Sequence, residues 1–103
     1  DYSGEVKAGL FRQWPESLRT GYRVRGEFAV TDSERLSFYL LGEDDYQRWL
    51  ARDSFGWLVG LADTPHDTFS AVVPQTGWYR LLVDNRALKT DREFRLRATR
   101  TTP

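Results

Sequence analysis

The stretch that decides the fold is residues 22–30, YRVRGEFAV. Val24 and Phe28 fall on one side of an extended chain, while Arg23 and Arg25 fall on the other. Because successive side chains of a β-strand point to opposite faces, this alternation predicts a strand with one buried and one solvated face.

The same period of two recurs along the chain. It predicts further strands at residues 6–11, 36–41, 78–84 and 94–99, with two less regular strands at 55–62 and 67–73. Turn-forming residues such as Thr31-Asp32-Ser33 separate these stretches. Seven or eight short strands at this spacing are typical of an antiparallel β-sandwich. We therefore predict one all-β sandwich domain, of jelly-roll type, over residues 1–103, with its core at about residues 5–99.

One segment breaks the alternation. Within residues 44–52, DDYQRWLAR, Tyr46, Trp49 and Leu50 are spaced three and four residues apart, which indicates a helical turn. Asp44 or Asp45 is available to cap its first turn. We predict one short helical insertion between two strands.

Composition excludes several classes of function. Fifteen basic and fifteen acidic residues cancel, which removes the general attraction to nucleic acid, although residues 80–103 carry seven basic and three acidic groups. There is no cysteine for a disulfide or a thiolate metal site. No apolar run reaches the ~20 residues that a membrane-spanning helix needs. The absence of methionine, even at position 1, suggests a mature or excised fragment.

Signatures of catalysis are missing. His66 is the single histidine and lies in a Thr-Pro-His-Asp turn, and no G-x-S-x-G elbow or phosphate-binding glycine loop is present. An enzyme would need a pocket joining His66 to a carboxylate. The acidic run Glu43-Asp44-Asp45 is either a Ca²⁺ site or an acidic helix start, and the latter is favoured because no D-x-D-x-D-G loop is present. We expect no enzyme activity and no cofactor.

Exposed aromatic side chains are the first candidate for a binding surface. The candidates are Tyr46, Trp49, Trp57 and Trp78. Planar rings serve as platforms for sugars, and Trp and Tyr anchor protein partners. The alternative is that these rings fill a core that has no Met.

Arginines on two strands are the second candidate. Arg23 and Arg25 share one side of their strand, and Arg95 and Arg97 share one side of theirs. If both sides face the same solvent, they form a cationic patch for an acidic partner or an anionic lipid surface. The alternative is a solvated face on which Glu27 and Glu93 pair with these arginines.

Two segments near the end of the chain resemble a known family. Residues 74–85, PQTGWYRLLVDN, followed by residues 92–98, REFRLRA, resemble the C-terminal half of the Golgi-dynamics (GOLD) domain. There, a Gly-x-Tyr strand runs to an Asn and one further strand closes the sandwich. Residues 21–30 and 36–49 are similar to its bacterial and archaeal relatives. In this motif Gly77 ends a turn that can demand a positive φ, Tyr79 is expected to reach the core, and Asn85 tolerates the left-handed conformation of the exit turn.

The resemblance implies a noncatalytic binding role outside the cytosol. The disulfide that is usual in the eukaryotic members is absent here, so vesicle trafficking is not implied. We expect a module of a secreted or membrane-attached prokaryotic protein, in an extracellular, periplasmic or lumenal setting. It would contact a protein partner or the rest of a larger polypeptide. The alternative is a carbohydrate-binding or secreted-protease-appended module, which needs at least two exposed, coplanar rings.

Overall fold

The computed structural model describes residues 2–103, so Asp1, the first residue of the predicted domain, lies outside it. It contains eight β-strands and one α-helix, which confirms the predicted all-β sandwich with a short helical insertion. The strands are β1 (Tyr2–Val6), β2 (Phe11–Leu18), β3 (Arg23–Val30), β4 (Leu36–Gly42), β5 (Val59–Thr64), β6 (His66–Val72), β7 (Gly77–Asp84) and β8 (Arg92–Thr101), and the helix α1 (Glu43–Leu50) follows β4.

The strands form two four-stranded antiparallel sheets. Sheet A has the order β1-β8-β3-β6, and sheet B has the order β2-β7-β4-β5. This order, in which the chain passes back and forth between the sheets and the first strand pairs with the last, is that of a jelly roll. Pairing begins at Tyr2 and ends at Thr101, so the sandwich extends beyond the expected core of residues 5–99.

The inner faces of the two sheets carry the residues that the alternation assigned to the core. Phe28 of sheet A stacks on Phe38 of sheet B with ring centroids 5.3 Å apart, and both side chains are fully buried. Around them lie the other predicted inward residues, Val24, Val30, Leu36, Leu40, Tyr79, Leu81, Val83, Phe94 and Leu96. The strand faces of β3, β4, β7 and β8 are therefore confirmed.

A second apolar cluster lies on the outer face of sheet B. Leu41 and Leu82 point away from the main core, and α1 covers them with Tyr46 and Trp49. Eight residues are too few for a stable isolated helix in water. Packing on the sheet therefore stabilises α1.

The first predicted strand is wrong in its extent. The alternation of residues 6–11 continues across a turn at residues 7–10, where Gly9 has φ 76°. The missed strand is β2, whose centre holds Pro15. A proline lacks the N–H that an inner strand must donate, but β2 lies at the edge of sheet B and tolerates it. The predicted strand at 55–62 begins only at Val59.

The turns at the two ends of β7 do not use the left-handed conformation that Gly77 and Asn85 tolerate. Neither Gly77 nor Asn85 has a positive φ. Asn85 acts through its side chain instead: its buried Nδ2 donates to the carbonyl oxygens of Val6, Lys7 and Thr90 at 3.0–3.2 Å. This amide ties the β1–β2 turn to the β7–β8 loop.

Candidate functional site

Two of the four candidate aromatic side chains are exposed. Trp57 is 55% exposed and Trp78 is 60% exposed. Tyr46 and Trp49 retain only 6% and 2% of their surface, so the prediction that they contribute to a ligand surface is corrected. They lie on the face of α1 that packs against sheet B, because their spacing in the helix brings them to the same side.

Two arginines stack on these buried rings, Arg80 of β7 and Arg86 of the loop that follows β7. The Arg86 guanidinium lies 3.5 Å from the centroid of the Trp49 ring. The Arg80 guanidinium lies 4.7 Å from the centroid of Tyr46 and donates to Glu43 Oε1 at 2.8 Å. Burial raises the pKa of Tyr46, although Arg80 opposes the shift. These four side chains therefore fix α1 on the sheet and are not free for a ligand.

Trp57 and Trp78 line one groove at the end of sheet B. Trp78 extends from the start of β7, and Trp57 extends from the segment that leads into β5. Since β4 lies between those strands, their backbones are roughly two strand spacings, about 10 Å, apart. The groove encloses about 390 Å³ and is otherwise lined by residues 42–45, Leu58 and residues 74–77, together with Tyr79. We call it the tryptophan groove.

Trp57 is held in place despite its exposure. Its indole lies against Gly60, where a Cβ would lie 2.5 Å from the indole Nε1. The rings of Tyr39 and Phe55 flank it, with centroids at 5.8 and 5.6 Å. The Gly56 amide donates to Asp45 Oδ1 at 2.9 Å, which fixes the segment before it. An exposed ring held this firmly loses little conformational freedom on binding.

The acidic start of α1 forms one rim of the groove. The predicted carboxylate cap is wrong, because the N-cap residue is Gly42 and no side chain caps the helix. Glu43 is bound by Arg80, and Asp45 accepts hydrogen bonds from Arg48 and Gly56. Among residues 2–103 no group of three or more His, Cys, Asp or Glu is arranged to hold a metal ion. The side chain of Asp44 is exposed and makes no hydrogen bond or ion pair within residues 2–103.

The four predicted arginines share the outer face of sheet A, because their strands β3 and β8 are neighbours. All four, Arg23, Arg25, Arg95 and Arg97, are exposed. Arg97 lies opposite Glu27 in the register, yet the Glu27 carboxylate lies 3.5 Å from His66 Nε2, a contact that is an ion pair only when His66 is protonated. Within residues 2–103, Arg25, Arg95 and Arg97 form no ion pair, so the proposed pairing with Glu27 and Glu93 is absent from that range.

His66 begins β6 on this same face. Its side chain and that of Glu27 are 57% and 48% exposed, which leaves both in contact with water. A histidine–carboxylate pair in such a setting lacks the water exclusion typical of catalytic sites.

No protein-family model matches this chain, and no curated protein matches its sequence. No helix within residues 2–103 combines the length and apolar character needed to cross a bilayer.

Sequence reasoning selected Trp57 and Trp78 but missed the walls between them. Residues 42–45 and 74–77 reach the groove because the end of β4 pairs with the start of β7, where Gly42 is opposite Tyr79. That pairing leaves no local mark in the sequence. A usable signal existed for the burial of Tyr46 and Trp49, since Leu41 and Leu82 are aliphatic residues on the outward sides of β4 and β7 and need a cover.

Proposed function

We propose that this chain is a noncatalytic binding module that contacts a protein partner through the tryptophan groove. The observation that supports this most is the presence of Trp57 and Trp78, both more than half exposed, on a single concave surface. Tryptophan is the residue most enriched among those that dominate protein–protein binding energy. A monomer gains no stability from leaving two large indoles in water.

The surroundings of the rings also favour a protein partner. Glu43, Asp44, Gln75 and Thr76 supply polar groups around the indoles. An apolar centre with a polar rim is the usual anatomy of a protein interface. A groove of about 390 Å³ accommodates one or two side chains of a partner segment.

The biological setting is part of the same proposal. The Gly-x-Tyr strand that runs to Asn85, and the closing strand β8, support a GOLD-like module of a secreted or membrane-attached prokaryotic protein. Tyr79 reaches the core with 7% of its surface exposed, and Asn85 joins two loops, which gives the motif residues structural roles. The proposed extracellular, periplasmic or lumenal location rests on this resemblance.

Carbohydrate binding is the second candidate. The observation in its favour is again the exposed pair Trp57 and Trp78, since sugars stack on planar rings. Tyr46 and Trp49 no longer contribute, so this function depends on two rings whose backbones are about 10 Å apart. A sugar platform would have to span both.

The test is binding of the labelled domain to a panel of soluble glycans and to an array of short peptides. The decisive variant is Trp57→Ala/Trp78→Ala, and the matched control is Leu10→Ala, which removes an apolar side chain that is 56% exposed and lies outside the groove. Peptide capture that is lost only in the double variant supports the proposal. Glycan capture with the same dependence supports the second candidate, and capture that the double variant leaves unchanged refutes both.

A further inference from the structure

We propose that the tryptophan groove binds an arginine side chain of the protein partner, with lysine as a weaker substitute. This inference rests on the proposed protein-binding function and specifies its ligand. The pairing of the chain's own rings with arginines, and one uncompensated charge at the groove rim, support this ligand.

Arginine stacking on aromatic rings is the recurrent packing device of this protein. Arg86 lies over Trp49 at 3.5 Å, Arg80 lies over Tyr46 at 4.7 Å, and Arg12 lies over Trp14 at 5.2 Å. Trp14 and Trp49, the two tryptophans outside the groove, therefore each have a guanidinium over the ring.

The two groove tryptophans have none. No arginine or lysine among residues 2–103 lies over the ring of Trp57 or Trp78. Tryptophan has the strongest attraction for a cation of all the aromatic side chains. These two indoles on one concave surface therefore have no cation of residues 2–103 stacked on them, whereas Trp14 and Trp49 each have an arginine of the chain.

The charge at the rim selects the same ligand. Two of the three carboxylates in the first turn of α1 are neutralised by internal arginines, Glu43 by Arg80 and Asp45 by Arg48. Asp44 is exposed without an ion-pair partner among residues 2–103, and it lines the groove. One negative charge beside two indoles attracts a cation and disfavours an anionic ligand.

Arginine fits better than lysine on geometric grounds. The guanidinium is planar, so it stacks on an indole while its edge donates hydrogen bonds to a carboxylate. An ammonium group is compact and more strongly hydrated, and it gives up more water on entering the groove. Gln75 also lines the groove, and its side-chain carbonyl supplies a further acceptor at the rim.

The experiment is an ¹⁵N NMR titration of the intact domain with blocked pentapeptides of the form Gly-Gly-X-Gly-Gly. X is arginine, lysine, the uncharged isostere citrulline, or leucine. We expect saturable shifts of the Trp57 and Trp78 indole N–H signals with the arginine peptide, and binding about threefold to thirtyfold weaker with citrulline.

Two kinds of variant separate the contribution of the Asp44 charge to binding from that of the indole rings. Asp44→Asn is expected to weaken arginine binding severalfold, whereas Glu93→Gln, the same charge change on the exposed outer face of sheet A, leaves it unchanged. Trp78→Phe keeps an aromatic ring of weaker cation affinity and is expected to retain part of the binding. The spectrum of each free variant reports whether it is folded.

The outcomes distinguish the inference from the function on which it rests. Equal binding of citrulline and arginine, or stronger binding of leucine, overturns the arginine inference and leaves a protein-binding groove. Shifts confined to the outer face of sheet A also overturn it. Failure of every peptide, together with groove-dependent glycan capture, overturns the proposed protein-binding function itself.

Discussion

Replacing Trp49 with alanine tests whether α1 is an integral part of the sandwich. Trp49 is 2% exposed, meets the ring of Phe11 edge-on at 4.7 Å, and supports the guanidinium of Arg86. The substitution removes the centre of the second apolar cluster. It also leaves Arg86 without the surface on which it stacks.

The cost follows from the surface that the indole buries. A buried tryptophan removes about 150–250 Å² from water. At about 25 cal/mol per Å² this corresponds to about 4–6 kcal/mol as an upper estimate. Measured truncations of buried aromatic side chains cost about 3–5 kcal/mol, which is the value we expect here. A domain of this size has a free energy of unfolding of about 5–15 kcal/mol, so the variant loses a large share of it.

The assay is urea unfolding followed by far-ultraviolet circular dichroism, with Trp57→Ala as the matched control. Trp57 is 55% exposed, so the same area argument gives a cost of about 2 kcal/mol for its removal, clearly below that of Trp49. A cost below about 1 kcal/mol for Trp49→Ala would refute the packing of α1 on sheet B. Equal costs for the two variants would refute the division of the tryptophans into buried and ligand-facing pairs.

Three further changes test other parts of the molecule. Gly26→Ala should destabilise the domain by about 1–3 kcal/mol in thermal melts, because the new Cβ would overlap the carbonyl oxygen of Arg97 and lie 2.7 Å from the Phe69 ring. A neutral result would contradict the close approach of β3 and β8. Arg25→Ala should change the free energy of unfolding by less than about 0.5 kcal/mol, and a larger loss would mean that this face is not solvated. Asp91→Asn should lower stability in urea melts at neutral pH and have progressively less effect as the pH falls below 3.8, the ordinary pKa of the group. The Ala8 amide and then Lys7 hold the pKa of folded Asp91 below that value. The contribution of Asp91 to the free energy of unfolding is therefore lost as the pH falls through the lowered pKa. A difference from wild type that does not change with pH would contradict this account.

The sequence predicted the sandwich because alternation is a local property of each strand. Val24, Phe28 and Val30 are buried as their spacing requires, and so are Tyr79, Leu81 and Val83. Neither set depends on knowing which strand pairs with which. The helix was predictable for the same reason, since Tyr46 and Trp49 are one turn apart.

The errors arose where pairing or tertiary contacts decided the outcome. Residues 6–11 alternate as a strand does, but the chain turns within them because β1 pairs with β8 and β2 pairs with β7. No strand was predicted over residues 11–18, where Pro15 interrupts the run, and β2 tolerates this proline because it lies at a sheet edge. Tyr46 and Trp49 were predicted as possible ligand contacts because the sequence does not show that α1 packs on the outer face of sheet B.

The groove was predicted only in part for a related reason. Trp57 and Trp78 stood out as tryptophans near strand ends, but they lie 21 positions apart in the chain. Their convergence depends on β4 lying between β5 and β7. No local pattern encodes that order.

The position of β8 in the middle of sheet A has a consequence for how the chain is made. β1 and β3 do not touch as neighbours; each pairs with β8, which is the last strand to be synthesised. Until residues 92–101 have left the ribosome, both strands present unpaired edges, and sheet A cannot close. Folding of sheet A therefore waits for β8 and proceeds at the slow rates of folds rich in distant pairings. During that interval the unpaired edges of β1 and β3 are open to pairing with other chains.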